Sequence, residues 1–387
     1  MESTLRTLLA SQPALLPSTF SARLARASFF TSDESAQYFE CGYSCDHAIL
    51  LKLDAGGVDS GANSSPESSK IFITDSRYTT EARENLRPGI TLIQSNNLLE
   101  SMIELLRKER VKELLYDSSK LCVGDFERLR KEVPECTLHG MPNFHQHIRL
   151  IKTNEQVALI AKSQSLNKKA YKAFAKTIES RFYSRKSGAL REFKLHALLR
   201  QALERNGKYD LSFNPIVGIN ANAAKPHALP CDDELHEGDL LLVDAGIKYK
   251  RYCSDRTRTA VVSQGHIDFG KSQHFSKPKL QKIYDIVRKA QEHAITHLRA
   301  GMSGKQIDAL ARDVIEKAGY GEYFSHSTGH GIGLDIHELP VISRRSEMTI
   351  ENGMVFSIEP GIYLPGKYGV RIEDLVVVRN GRAEVLG

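Results

Sequence analysis

The latter half of the chain repeats one pattern, and this limits the possible folds more than any other feature of the sequence. GDLLLVDAG (238–246) runs from Gly238 along an apolar strand to Asp244 and turns at Gly246; GMVFSIEPG (353–361) does the same from Gly353 to Glu359 and Gly361. Each unit then reads as a hairpin that returns through a second acid at the start of another apolar strand, Asp255 in SDRTRTAVV and Glu373 in RIEDLVVV. Two helical patterns precede each unit, 154–177 with 189–206 and 279–299 with 304–318. The pattern predicts helix-helix-strand-strand twice over. The halves would pack face to face as one sheet with helices outside, their acids meeting near a pseudo-twofold axis. Carboxylates at the ends of fully apolar strands are costly unless paired or metal-bound.

The first third alternates short β-like runs (HAILLKLD, KIFITD, TLIQ, ELLYD) with helical patterns such as NNLLESMIELLRKER, which predicts an α/β domain. A length of 387 residues allows two domains. Periodicity is lost near Pro142 to Thr153, and Thr153 with Gln156 gives a capping-box signal for a long helix. The junction is placed at 146, giving domains 1–146 and 147–387. Within the first domain, GGVDSGANSSPESS (56–69) has the composition of a mobile hairpin loop. The N-terminal stretch carrying Arg6, Arg23 and Arg26 reads as a solvated first helix rather than a transit peptide.

Composition excludes several classes. The 53 basic and 47 acidic residues are spread along the chain, so a net charge of +6 gives no nucleic-acid footprint. No apolar run reaches the roughly 18 residues of a membrane helix. Six scattered cysteines fit free thiols in a reducing cytoplasm; Cys41 and Cys45 with His47 resemble half a zinc site, but no second pair answers them. His293 and His297 lie i, i+4 without a third ligand and read as a solvated helix face, and His145 and His147, at the junction, are expected to face water. Gly329, Gly331 and Gly333 lack the lysine of a phosphate loop, so they are read as positions of close backbone approach.

Four converging carboxylates repel one another, and divalent cations are the ordinary resolution. His330, in HSTGHGIGLDIHELP, offers a fifth ligand. The set Asp244, Asp255, His330, Glu359 and Glu373 is rich in oxygen and suits two Mn²⁺, Co²⁺ or Zn²⁺ ions roughly 3.5–4 Å apart.

These residues carry a resemblance to the pita-bread metallopeptidases, the family of methionine aminopeptidase, aminopeptidase P and prolidase. It rests on VDAG with YCSDRTRT, FSHSTGHGIGLDIHE, SIEPGIY and GVRIEDLVVV, and it extends more weakly into FITDSRYTTEA (72–82), which resembles the creatinase-type N-terminal domain of the proline-specific members. The fold implied is a two-domain α/β chain: a creatinase-like α/β domain followed by a duplicated α-α-β-β catalytic domain. By the same resemblance, Asp244 would chelate one ion, His330 and Glu359 the other, and Asp255 and Glu373 both. Mn²⁺ is the metal first expected. His227, His326 and His337 would handle substrate, Arg371 would support a bridging acid or anchor a substrate carboxylate, and Glu359 would shuttle a proton. The implied activity is hydrolysis of the bond between an N-terminal residue and a penultimate proline through a hydroxide bridging the two ions. Its substrates would be small peptides with proline second (Xaa-Pro aminopeptidase), or Xaa-Pro dipeptides as for a prolidase. A pita-bread protein that only binds partners is the alternative from another class, and intact ligands argue against it. A homo-oligomer, a dimer, is the expected assembly.

Overall fold

The computed structural model describes residues 5–12, 15–54, 68–182 and 188–387. Most of the 56–69 segment therefore lies outside the described residues. The chain divides into two compact units, Met1–Arg149 and Leu150–Gly387.

The first unit opens with helices α1 (Leu5–Ala10) and α2 (Pro17–Leu24). Leu5, Leu8, Phe20 and Leu24 are buried, so these helices bury an apolar face rather than being solvated all round. Strands β1 (Phe29–Thr31), β2 (Ala48–Leu53), β3 (Ser69–Thr74), β4 (Ile90–Gln94), β5 (Glu113–Tyr116) and β6 (Thr137–Gly140) form one mixed sheet in the order β4-β3-β2-β1-β5-β6. The four β-like runs of the sequence are β2 to β5. β1 and β6 are short and carry no alternation to reveal them. Helices α3 (Glu34–Cys41), α4 (Thr79–Asn85), α5 (Leu98–Lys108) and α6 (Val123–Glu132) connect the strands, and α7 (Phe144–Ile148) follows β6. In α5 the Asn97 side chain caps the amide of Glu100, and Met102, Ile103 and Leu106 turn inward.

The expectation that His145 and His147 face water is corrected here, since they are only 4% and 8% exposed. The segment 144–148 is a helix whose aromatic face packs inward, with His145 edge-on to Phe29, Phe39 and Phe144 and His147 edge-on to Phe20. His145 also meets the Glu40 carboxylate at 3.1 Å, and Lys70 reaches the other Glu40 oxygen at 2.7 Å.

The second unit begins at α8 (Asn154–Phe182), whose start carries the expected capping box: Thr153 N–H donates to Gln156 Oε1 (2.8 Å) and Gln156 N–H to Thr153 Oγ1 (3.3 Å). It continues through α9 (Glu192–Glu204), β7 (Ile216–Ile219), β8 (Leu240–Asp244), β9 (Lys248–Tyr249), β10 (Tyr252–Cys253), β11 (Thr257–Ser263) and β12 (His266–Ile267). The second half follows as α10 (Pro278–His297), α11 (Gly304–Lys317), β13 (Gly329–Gly331), β14 (Glu338–Ile342), β15 (Val355–Ile358), β16 (Gly361–Leu364), β17 (Tyr368–Arg371), β18 (Asp374–Arg379) and β19 (Arg382–Val385). The duplicated α-α-β-β order is thus present, with hairpin β9-β10 matching β16-β17.

Strand β8 is buried at every residue. Leu240 and Leu242 pack with Ile283 and Val287 of α10, while Leu241 and Val243 pack with Tyr171 and Phe174 of α8 and Leu199 of α9. Cover on both faces explains why it reads as a continuous apolar run instead of an alternating one. The halves do not form the single sheet expected. They form β12-β11-β8-β7 and β14-β13-β15-β18-β19, because β11 and β18 begin only after their acids, Asp255 and Glu373. Between the sheets, Glu373 N–H donates to Thr257 O (3.2 Å), and Thr259 Oγ1 bridges the backbone N–H and C=O of Arg371 (3.1 and 3.0 Å). That break in the ladder leaves room for the acids to converge. Among the described residues, no helix is long and apolar enough to cross a membrane.

Candidate functional site

Register places each pair of acids at the ends of facing strands, offset by two residues in the first pair and directly opposed in the second. Asp244, the last residue of β8, pairs with Thr257, two residues past Asp255; Ile358, next to Glu359, pairs with Asp374, next to Glu373. Asp255, His330 and Glu373 bring ligand atoms within 4.8 Å of one another. Glu359 joins them through His330 Nε2, 3.3 Å from its Oε1, and that same nitrogen lies 3.5 Å from Asp255 Oδ2. Asp244 neighbours Asp255 closely enough for the two carboxyls to interact directly. The five candidate ligands are therefore brought together.

Burial, and then the charges of neighbouring carboxylates, push the Asp255 and Glu373 carboxyls well above the usual carboxylate range; Glu359 is raised mainly by burial. Asp244 Oδ1, Asp255 Oδ1 and Glu373 Oε1 are buried without any hydrogen-bond partner. Acceptor atoms orphaned in one water-poor place are costly for a protein alone. Divalent cations would satisfy all three and offset the repulsion, so the residues present fit a two-ion centre with hard oxygen ligands and one imidazole.

The remaining lone pairs are held in place. Thr257 Oγ1 donates to Glu373 Oε2 (2.8 Å), and Ser357 Oγ donates to Glu359 Oε1 (3.0 Å). Helix α8 braces the first pair of acids from behind: Gln164 Nε2 donates to Asp255 O (2.6 Å), Gln164 Oε1 accepts from Asp255 N–H (3.2 Å), and Asn167 donates to Ala245 O (2.8 Å). Arg258 spans from Thr257 O and Glu373 O to the Asp374 carboxylate. The glycine-rich segment is tight for a plain reason. A Cβ on Gly329 would lie 1.8 Å from Ser357 O, and one on Gly331 2.1 Å from Leu339 O.

Arg371 is 3% exposed. Its guanidinium donates to Asp244 Oδ2 (2.7 Å), Thr257 Oγ1 (3.0 Å), Tyr363 OH (2.8 Å) and Pro226 O (3.1 Å). Its direct carboxylate contact is thus with Asp244, and it reaches Glu373 only through Thr257. His326 meets Ser327 O through Nδ1 (2.7 Å) and Tyr363 OH through Nε2 (2.8 Å). A carbonyl only accepts, so Nδ1 carries the proton and Nε2 accepts from the tyrosine hydroxyl. Burial, with the Arg371 charge second, lowers the His326 pKa to about 3, which keeps the ring neutral. A continuous chain, Asp244, Arg371, Tyr363, His326, follows. Asp308 and Arg312 of α11 hold the same segment, through Thr328 and through the carbonyls of Phe324 and His326.

His337 stacks edge-on to His330, with centroids 4.4 Å apart, and its neighbour Glu338 is locked by Lys152 at 2.6 Å. His227 is exposed on the loop 222–231, near enough to His326 and His337 to lower both of their pKa values. Tyr363, Thr257, Ser357 and Gln164 were not singled out from the sequence. Tyr363, Thr257 and Ser357 lie within or beside the motifs that carry the ligands, and only that adjacency could have pointed to them.

The chain matches the profile described as "Metallopeptidase family M24" over residues 158–380. It is 33% identical over 320 residues to a protein of Pyrococcus furiosus named Xaa-Pro dipeptidase, covering 83% of this chain and 80% of that protein. Its fold matches a Bacillus anthracis structure described as Xaa-Pro dipeptidase (TM-score 0.80, 27% identity, 96% of this chain and 95% of that one). It also matches a Thermotoga maritima structure described as X-Pro aminopeptidase (TM-score 0.78, 27% identity, 95% and 97%).

Proposed function

Because the chain belongs to metallopeptidase family M24, we propose that it is an Xaa-Pro aminopeptidase, releasing the N-terminal residue from peptides with proline second. We further propose that 147–387 is the catalytic domain, that 1–146 is a creatinase-like domain, and that the chain works in the cytoplasm as a homo-oligomer, a dimer. The observation that carries the reading is the trio of orphaned, buried oxygens on Asp244, Asp255 and Glu373, completed by His330 and Glu359. A binding protein gains nothing from such a set.

Asp244, Asp255, His330, Glu359 and Glu373 would hold two divalent ions, Mn²⁺ first among the candidates. Bound there, the ions supply a water acidified enough to attack near neutral pH and a Lewis acid for the scissile carbonyl. Glu359, oriented by Ser357, takes the proton from the attacking water and delivers it to the proline nitrogen. That delivery matters, because a bond to proline is a tertiary amide and its nitrogen must be protonated to leave as an amine. His227 and His337 donate to the oxygen where negative charge develops. His326 has both ring nitrogens engaged by Ser327 and Tyr363, so it orients Tyr363 and, through Arg371, the Asp244 carboxylate.

Prolidase is the second reading, and the Pyrococcus furiosus relative named Xaa-Pro dipeptidase favours it. The test uses purified protein loaded with Mn²⁺ and assayed on matched Xaa-Pro and Xaa-Pro-Yaa peptides. The proposal expects about two metal equivalents, release of free Xaa with preference for the longer peptide, and loss of activity on chelation or in Asp255→Ala. Cleavage of the dipeptide alone makes it a prolidase. Protein that takes up no metal and cleaves neither peptide sinks both readings.

A further inference from the structure

Glu192 is a buried carboxylate for which the mechanism above has no use. It is the first residue of α9, is 0% exposed, and sits where the helix has no side-chain cap. Three N–H donors converge on it: Ile219 N–H on Oε1 (2.6 Å), and Asn222 Nδ2 (2.6 Å) and Cys231 N–H (2.8 Å) on Oε2. Asn222 and Cys231 are the two ends of the loop that carries His227, and both are held by one oxygen. Asn222 Nδ2 also donates to Leu229 O (2.9 Å), closing the loop on itself, and Arg371 ties its middle through Pro226 O (3.1 Å).

Cys231 and Asp233 place further ligand atoms within 4.8 Å of Glu192. Both Glu192 oxygens, however, are already taken by N–H donors. An ion there would have to displace three charge-assisted hydrogen bonds, so the arrangement is a clasp and not a metal site. The choice of a carboxylate has a physical reason. It offers only acceptor lone pairs to three donors arriving from different directions, and its charge is favoured at the N-terminus of α9. A glutamine in its place would turn an NH₂ group toward at least one N–H donor.

We infer that Glu192 is a positioning residue: by clasping both ends of the 222–231 loop it sets where His227 stands relative to the substrate. The inference rests on the reading of His227 as a substrate donor. Among the described residues no hydrogen bond or ion pair joins Glu192 to the five candidate metal ligands; besides the loop it holds only the Ile219 N–H at the end of β7, so metal content is the readout that separates an effect through the loop from one through β7 and β8.

The test is a double-mutant cycle on the full-length, Mn²⁺-loaded protein with Glu192→Gln, His227→Ala and the pair, measuring kcat and KM on an Xaa-Pro-Yaa peptide. Bound metal and amide hydrogen exchange are measured beside them. Glu192→Gln is expected to lower kcat/KM about 10- to 100-fold, the scale of a misplaced catalytic group. Metal content should stay unchanged, and exchange should quicken at Ile219 and Cys231 while the amides of α10 and α11 keep their protection. In the His227→Ala background the same substitution should cost less than about twofold, because the group it positions is gone. Should Glu192→Gln not fold, Asn222→Ala opens the clasp from the other side and carries the same expectations. A full, additive loss in the double variant, or loss of metal, overturns the inference while the peptidase reading stands. If His227→Ala alone costs nothing, the role given to His227 fails, and this inference with it.

Discussion

Gln164 offers the sharpest test of how the first pair of acids is held. It is fully buried, and its amide makes a two-way pair with the backbone of Asp255, at 2.6 Å to the carbonyl and 3.2 Å from the N–H. A leucine has nearly the same volume, so Gln164→Leu leaves no sizeable cavity, and the cost is that of two buried backbone groups left without partners. At about 1–3 kcal/mol for each group, the variant should lose about 2–6 kcal/mol, minus whatever water recovers. Part of that loss must fall on the site, because the segment released is the one bearing Asp255. Equilibrium urea unfolding of the metal-free protein should show the stability loss, and calorimetric titration with Mn²⁺ should show affinity weakened about tenfold or more, equivalent to about 1.4 kcal/mol. A stability change below about 1 kcal/mol together with Mn²⁺ affinity within twofold of the wild type would refute the reasoning, since it would mean Asp255 is held by the flanking strands β10 and β11 and not by α8.

Two further predictions test other parts of the molecule. Burial lowers the His147 pKa from 6.5 to about 4, so the unfolded chain takes up the proton first; the stabilisation is complete above about pH 6.5, declines as pH falls and is gone below about pH 4, for a total of about 3 kcal/mol. In His147→Phe, which keeps an aromatic ring against Phe20, urea midpoints between pH 7 and 4 should fall less steeply than in the wild type, and parallel profiles would show that His147 is not buried as a neutral ring. Gly331→Ala places a methyl 2.1 Å from Leu339 O and should cost about 1–3 kcal/mol of stability through overpacking, displacing β13 and with it His330. Unchanged Tm and Mn²⁺ uptake in that variant would show that the strand has slack which the geometry denies.

What the sequence disclosed and what it withheld divide along a physical line. The duplicated strand-acid-hairpin-acid pattern was legible because each acid interrupts an apolar run, and such an interruption is costly enough to need a cause. Of the glycines of GHGIG, Gly329 and Gly331 are positions of close backbone approach, with carbonyls 1.8 and 2.1 Å from where their Cβ atoms would lie, whereas a Cβ on Gly333 would meet the Glu338 carboxylate at 2.7 Å instead of backbone. His145 and His147 were misread because the loss of periodicity around them looked like a linker. In a helix of five residues, an inward aromatic face leaves no period to detect. The single continuous sheet was misjudged because sequence shows which strands exist but not where a ladder must open, and here it opens so that Asp255 and Glu373 can meet. Gln164 and Glu192 were invisible for a different reason. A glutamine inside a helix and a glutamate in its first turn are ordinary surface residues by composition. Their positioning roles arise only from backbone donors and acceptors far away in the chain. The ligands of this site declare themselves locally, whereas the residues that hold the ligands still are defined by tertiary contacts, and so the decisive experiments fall on residues that touch no substrate.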